Sequence, residues 1–555
     1  VSNLPYTLTT TGLAAGSYAL TAVATDGSGL TSTSAPVNIT VNSGSGQPYG
    51  LSSLAPSPAF FNMPTAIPPN LPGSVPTLLS LTGVFSNTPA MIPTNGLIPY
   101  NPNVQLWSDG AVKTRYMSVP NVGGALTADE QITFAPTGSW TFPAGTVFVK
   151  TFQLQTNLSN PNSLHRLETR LLVRDINGAV YGVTYKWRPD NSDADLLTTS
   201  SNENIAITTP DGVVTQTWYY PSPADCLTCH TPVANYVLGL STRQLNGNFT
   251  YPSTGVTDNQ LRTINRLGLF NPAFDEASIT NFEQLYALTN ATASLESRAR
   301  SYLDANCVQC HQPGGSGPSF DARYETPLTN QNLIYGVLSK GNLGYDNAYI
   351  VVPDDVWRSV LYDRIDSLDA SIKMPPLDRN VIDTNAVAVL AAWINSLPGP
   401  PAEAPPTINP NGGSFRGSVQ VSLVPPDNNA TLYYTLDGTL PTTGSLLYTG
   451  PFTLTNSVTV EANAFEANLV NSVATTALFN IEPTVYFTSA EALANNTFQL
   501  NLSGIQGSSY ILQASTNLTD WVNLSTNTPP TGIFSLFDTN TASFPYRFYR
   551  VIQSP

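Results

Sequence analysis

The feature that most limits this chain is how it spends its cysteines. The 555 residues contain four Cys and three His. All four Cys and two of the His fall in two copies of one pattern, Cys226-Leu227-Thr228-Cys229-His230 and Cys307-Val308-Gln309-Cys310-His311. Other chemistries share the Cys-x-x-Cys spacing. A disulfide across two residues is strained and reducible, and thioredoxin-like and zinc sites also use the pair. None of these requires a His directly after the second Cys, twice. Haem c attachment does: both sulfurs add to vinyl groups as thioethers, and the adjacent His reaches under the ring to iron. The expectation is two covalent haems c, held by Cys226, Cys229 and His230 and by Cys307, Cys310 and His311. Bacterial haem c is attached outside the cytoplasmic membrane. An extracellular, cell-surface or periplasmic bacterial protein follows.

Length implies several domains of ~100–200 residues each. Charged residues make up only 11% and the formal net charge is −15. No Lys/Arg run occurs, so duplex nucleic acid is not an expected partner. No stretch of ~18 apolar residues occurs, so no transmembrane helix is expected. The chain starts at Val1 without Met, inside what reads as a β domain, as a processed or truncated chain would.

The fold class expected is multidomain and mainly β, with Ig-like modules and a β-sandwich around a central α-helical dihaem region. Residues 1–43 read as part of an Ig-like β domain, with alternation at Ser17–Ala24 and Val37–Val41. Residues 44–76 are a Pro/Gly/Ser linker. Residues 77–218 carry many short strands and read as a β-sandwich. Residues 219–293 form a helical first haem region, with helices expected over Asp258–Gly268 and Ser278–Leu288. Residues 294–398 form a cytochrome c domain with the second haem. Its first helix, Ser294–Ala305, has an apolar stripe at Leu295, Ala299, Tyr302 and Leu303. Its last helix starts at Asp383 or Thr384 and ends before Pro398. Residues 399–406 are a linker, followed by β modules at 407–482 and 483–555.

The second motif has a candidate sixth ligand in Met374, 63 residues after His311. Met374-Pro375-Pro376 is a loop setting in which proline stiffens the approach to iron, although Met also serves as core filler. His/Met ligation raises a haem's potential. Gly314-Gly315-Ser316-Gly317-Pro318 is expected to turn beside the second haem. The first motif lacks an obvious distal ligand. His165 is the one His outside the motifs. It reads equally as a surface residue near Arg166 and Glu168, or as an iron ligand. Met63, Met91 and Met117 are weaker candidates, and an open iron is the remaining option. No catalytic residue is assigned.

Residues 294–398 resemble the c-type cytochrome domains of secreted modular bacterial proteins, through Cys307–Gly315 and Met374-Pro375-Pro376-Leu377. The wider stretch 76–398 resembles a bacterial secreted dihaem c-type cytochrome family, through Leu106-Trp107-Ser108-Asp109-Gly110-Ala111, Leu167-Glu168-Thr169-Arg170 and Arg298–Leu303. The resemblance of residues 294–398 implies Cys307 and Cys310 as haem anchors and His311 and Met374 as iron ligands. Trp107, Asp109, Lys113 and Arg115 mark either a site or a structured turn. Residues 407–482 resemble the Ig-like module at the C-terminus of chitobiase and β-hexosaminidase, through Tyr433–Thr439 and Tyr448–Pro451, a module without catalytic residues. The function expected is an exported dihaem electron carrier, with a redox protein as partner or with self-assembly through exposed sheet edges. A dihaem peroxidase or other haem oxidoreductase is the alternative, and a carbohydrate-binding or adhesive surface protein a third.

Overall fold

The computed structural model describes residues 16–41, 48–68, 71, 73–377, 379–482 and 484–553. The expected β segment at residues 1–15 and the start of the linker at 44–47 lie outside these. The chain divides into two units, Val1–Asn332 with Ile365–Leu390, and Leu333–Arg364 with Ala391–Pro555. The fold is mainly β, in several separate sheets.

The body of the first unit is a six-stranded antiparallel sheet. Its strands are β1 (Ile98–Pro99), β2 (Val112–Ser118), β3 (Val147–Gln155), β4 (Leu164–Arg174), β5 (Val180–Trp187) and β6 (Ala194–Leu196), paired in that order. A long hairpin, β7 (Ser201–Thr209) and β8 (Gly212–Tyr220), follows. Phe152, Leu154 and Leu167 of the sheet share a core with Ile205, Ile207, Trp218 and Tyr220 of the hairpin, so this two-stranded layer packs against part of the six-stranded sheet. Side chains alternate along each strand, and here both sets are buried. Val147, Val149, Leu171, Val173, Tyr181 and Val183 pack with Met63, Val75, Leu79 and Val84. Met117 and Phe148 pack with Trp140, Val237, Leu240, Leu261, Ile264 and Phe270. The segment read as a linker is thus a cover for one face. Tyr181 donates to the Pro64 carbonyl (2.5 Å) and Tyr185 to that of Pro76 (2.9 Å).

Helix is sparse between the sheet and the second motif. The region contains α1 (Pro223–Cys229), α2 (Thr242–Leu245) and α3 (Gln260–Arg266), separated by loops and a short hairpin, before α4 (Leu295–Cys307). The expected helix at Ser278–Leu288 is absent; one 3-10 segment, Glu276–Asn281, stands there. Its carbonyls are claimed from outside. The Asn246 side chain donates to the carbonyls of Ile279 and Phe282, and Leu285 N–H donates to the Arg243 carbonyl. These tertiary bonds compete for the backbone of this stretch, and the Ile279 carbonyl closes only a 3-10 turn to Phe282 N–H.

Two further helices, α5 (Val360–Ile365) and α6 (Thr384–Asn395), follow. The second unit carries two β modules. In the first, a three-stranded sheet (Thr407–Asn409, Val419–Val424, Phe452–Leu454) faces a five-stranded one across a core of Val421, Leu432, Val460, Ala462 and Phe479. In the second, two three-stranded sheets enclose Leu500, Leu502, Leu512 and Leu536. Among the described residues no helix is long and apolar enough to cross a membrane.

Candidate cofactor sites

Helix α1 exists to present the first motif. Ser222 caps it, Pro223 opens the first turn, and Asp225 returns a hydrogen bond to the Ser222 N–H (2.8 Å). This is a capping box with proline at the position where its missing N–H costs nothing. Cys226, Cys229 and His230 then stand three and four residues apart, on one side of the turn. The helix lies directly on the sheet. A Cβ added to Gly182 of β5 would meet Cys226 Sγ at 2.7 Å.

His230 is oriented by its own loop. Its Nδ1 is 2.5 Å from the Tyr236 carbonyl oxygen. A carbonyl at that distance fixes Nδ1 as the protonated nitrogen and leaves Nε2 as the basic one, the tautomer an iron-binding imidazole needs. Burial pushes the His230 pKa down to about 4, aided by Lys150 and Arg170 and opposed by the Tyr236 carbonyl. The ring is therefore neutral at neutral pH.

Beside the motif is a cavity of about 380 Å³, lined by Cys226, Cys229 and His230. Its sheet wall carries a cationic row. Lys150 of β3 pairs in register with Arg115 of β2 on one side and Arg170 of β4 on the other, and all three line the cavity. Arg170 bonds Glu168 (2.6 Å). Arg115 reaches only neutral amides, Asn101 (3.2 Å) and Gln105 (3.1 Å). Lys150 makes no hydrogen bond or ion pair among the described residues and lies over the Phe152 ring. Burial holds its pKa well below the usual lysine range, and Arg115, Lys113 and Arg170 push the same way. Arg115 is buried without a matching anion, which is costly, so this wall suits a ligand with a carboxylate of its own, as haem has.

The second motif continues helix α4. Ser294 caps the helix, accepting from Ser297 N–H (3.0 Å), and Ala299, Tyr302 and Leu303 are buried as the apolar stripe requires. Past Cys307 the chain keeps turning. Cys310 N–H and His311 N–H both donate to the Cys307 carbonyl (3.1 and 2.8 Å). Phe320 stacks on the His311 ring at 4.2 Å, and a Cβ on Gly317 would come within 2.8 Å of it. The glycine turn expected beside the second haem thus packs on the His311 ring.

The Met374 loop is held by Arg379, which the sequence did not single out, and by Trp107 and Asp109, which it left undecided. Buried Arg379 donates to the Met374 and Ile365 carbonyls (2.8 Å each) and also to that of Ser367. Asp109, in a left-handed backbone conformation (φ 49°), accepts from Asn380 N–H and Val381 N–H at 2.9 Å. Trp107 donates its indole N–H to the Val381 carbonyl (2.9 Å) and its backbone N–H to Asn306 (2.7 Å), next to Cys307. The Trp107–Asp109 turn therefore ties the loop after Met374 to the start of the second motif.

His165 is not brought to the first motif. It stands at the start of β4 opposite Leu154. Arg170, which does line the cavity, is five residues further on, about 17 Å of strand. Met117 and Met63 are core residues, and Met91 packs on the same core as Met63.

None of the four Cys is in a disulfide. Among the described residues, the Cys and His do not form any cluster of three close metal-ligand atoms. Burial pushes the Cys307 thiol up to about 12, the reverse of an activated redox cysteine.

Residues 410–476 match the chitobiase/beta-hexosaminidase C-terminal domain. No curated protein gives a significant match to the chain. The chitobiase-type module contains neither Cys motif and no part of the Met374 loop. Its exposed Asp437, in the Tyr-Thr-Leu-Asp-Gly stretch, bonds Thr439 N–H and hydroxyl, which is a turn rather than a site.

Proposed function

We propose that the chain is an exported dihaem c-type cytochrome that carries electrons between two covalently held haems. Cys226 and Cys229 anchor one, with His230 as its ligand. Cys307 and Cys310 anchor the other, with His311 and Met374 as ligands. Bound there, haem c supplies a one-electron iron couple.

The observation that supports the reading is that the cavity beside the first motif also touches the second. Val308 and Gln309, the middle residues of the second motif, line the same cavity as Cys226, Cys229 and His230. Two haems anchored this way have their attachment segments side by side, as a relay requires. The protein's own part is to fix the His230 tautomer, to meet haem carboxylates with Arg115 and Lys150, and to hold the Met374 loop.

Expression with a haem c attachment system tests this. Two haems per chain by mass and by haem assay are expected, with two one-electron steps in a redox titration. A chain that leaves such a host with four free thiols would overturn it. The same sample separates carrier from oxidoreductase: six-coordinate spectra at both haems fit a carrier, and a high-spin, cyanide-binding first haem fits an oxidoreductase.

The match at residues 410–476 favours a further role for the C-terminal part, as a module that places the haem body near carbohydrate. Retention of the chain on insoluble polysaccharide, lost on deletion of residues 400–555, would support that placement.

A further inference from the structure

The chitobiase-type module and the short Pro-rich segment before it bring three carboxylates together. Glu403, Asp427 and Glu466 each offer an oxygen, all within 4.8 Å of one another. Each comes from a different piece of chain. Glu403 lies in the 399–406 segment, which runs beside the module through Glu403 N–H to the Val470 carbonyl (2.8 Å) and Val470 N–H to the Pro401 carbonyl (2.9 Å). Asp427 sits in the turn between strands Val419–Val424 and Thr431–Thr435, where its Oδ1 accepts from Asn429 and Ala430 N–H. Glu466 directly follows strand Val458–Phe465.

Glu403 is the informative member. It is 4% exposed, and Oε1 accepts from Ala404 N–H (2.9 Å), whereas Oε2 is buried with no hydrogen-bond partner. A buried carboxylate oxygen with no donor is costly, and here its neighbours are two more carboxylates. Asp427 is exposed and Glu466 half-buried, so one side of the cluster is open to water. Hard oxygen donors, three acidic groups and room for water ligands describe a calcium site of the kind found in extracellular modules.

We propose that Glu403, Asp427 and Glu466 bind one calcium ion that fastens the 399–406 segment to the chitobiase-type module. Glu403 lies outside the matched residues 410–476, so the site belongs to the joint and not to the module alone. This inference does not depend on haem binding. A shared proton is the rival occupant, because burial, Glu466 and Asp427 all push the Glu403 carboxyl above its usual range. A raised carboxyl favours the folded joint at low pH and loses that advantage as pH rises above the ordinary glutamate range. Calcium should remove this dependence.

The test is calorimetric titration of calcium into the full chain after EDTA treatment, at neutral pH. One site with a Kd on the order of 10⁻⁴ to 10⁻³ M is expected. Glu403→Gln and Asp427→Asn should each weaken it at least tenfold, whereas Asp437→Asn, in another turn of the module, should not. Asp427 is exposed, so its variant keeps the test valid if Glu403→Gln fails to fold. Absence of calcium binding, or binding by both cluster variants as tight as in the parent, would overturn the proposal.

Discussion

Asp109 shows how much one side chain holds at the second site. It accepts both backbone N–H groups of Asn380 and Val381 while 4% exposed. Asp109→Ala should cost about 1–3 kcal/mol, since it leaves two donors unpaired. It should also weaken the thioether–iron charge-transfer band and lower the second haem's potential, as read by spectroelectrochemistry. Arg115 acts at the first site. Burial lowers its pKa to about 10, which keeps it cationic at neutral pH. Arg115→Gln should lower the first haem's potential by on the order of 50 mV, because a nearby cation disfavours the oxidised form. Gly182 has a steric task. Gly182→Val places carbon where Cys226 Sγ sits, and mass spectrometry should find haem lost from the first motif and retained at the second. Spacing alone marks the two Cys-x-x-Cys-His motifs in the sequence. Asp109 and Arg115 remained ambiguous, because their partners lie far along the chain.

At the scale of elements, helices with local caps were legible. Ser294 caps α4 and Asp383 accepts from Ala386 N–H at the start of α6, both as their sequence positions imply. Elements decided by tertiary bonding were not legible. The Ser278–Leu288 stretch has helical spacing, yet Asn246 and Arg243 take its backbone groups. The cationic row was hidden for a related reason. Arg115, Lys150 and Arg170 meet only through the register of three strands, which alternation does not specify. Arg243 links elements as well: it bonds Asp304 of α4 (3.0 Å) and Glu325 (2.8 Å) from within α2. Burial raises the Asp304 pKa, and Arg243 opposes this. Arg243→Met leaves that carboxyl buried without its cation and should cost about 3–5 kcal/mol, measured by denaturant unfolding.

For the whole molecule, the mainly β, multidomain organisation follows from many short alternating runs, and the module at 410–476 carries a recognisable sequence pattern. The relation between sheet and motifs does not follow from such runs. Alternation reports which residues are buried and not what buries them, so the irregular cover over the sheet was not legible. The Trp107–Asp109 turn has a consequence for transplantation. Residues 294–398 look like a portable small cytochrome, but the loop after Met374 is fastened to a turn more than 250 positions earlier. A gene fragment encoding 294–398 alone should give a product whose Met374 does not stay on iron, visible as a high-spin spectrum in the excised piece and a low-spin one in the parent. Anyone splicing residues 294–398 into another scaffold would have to carry their distant clasp along.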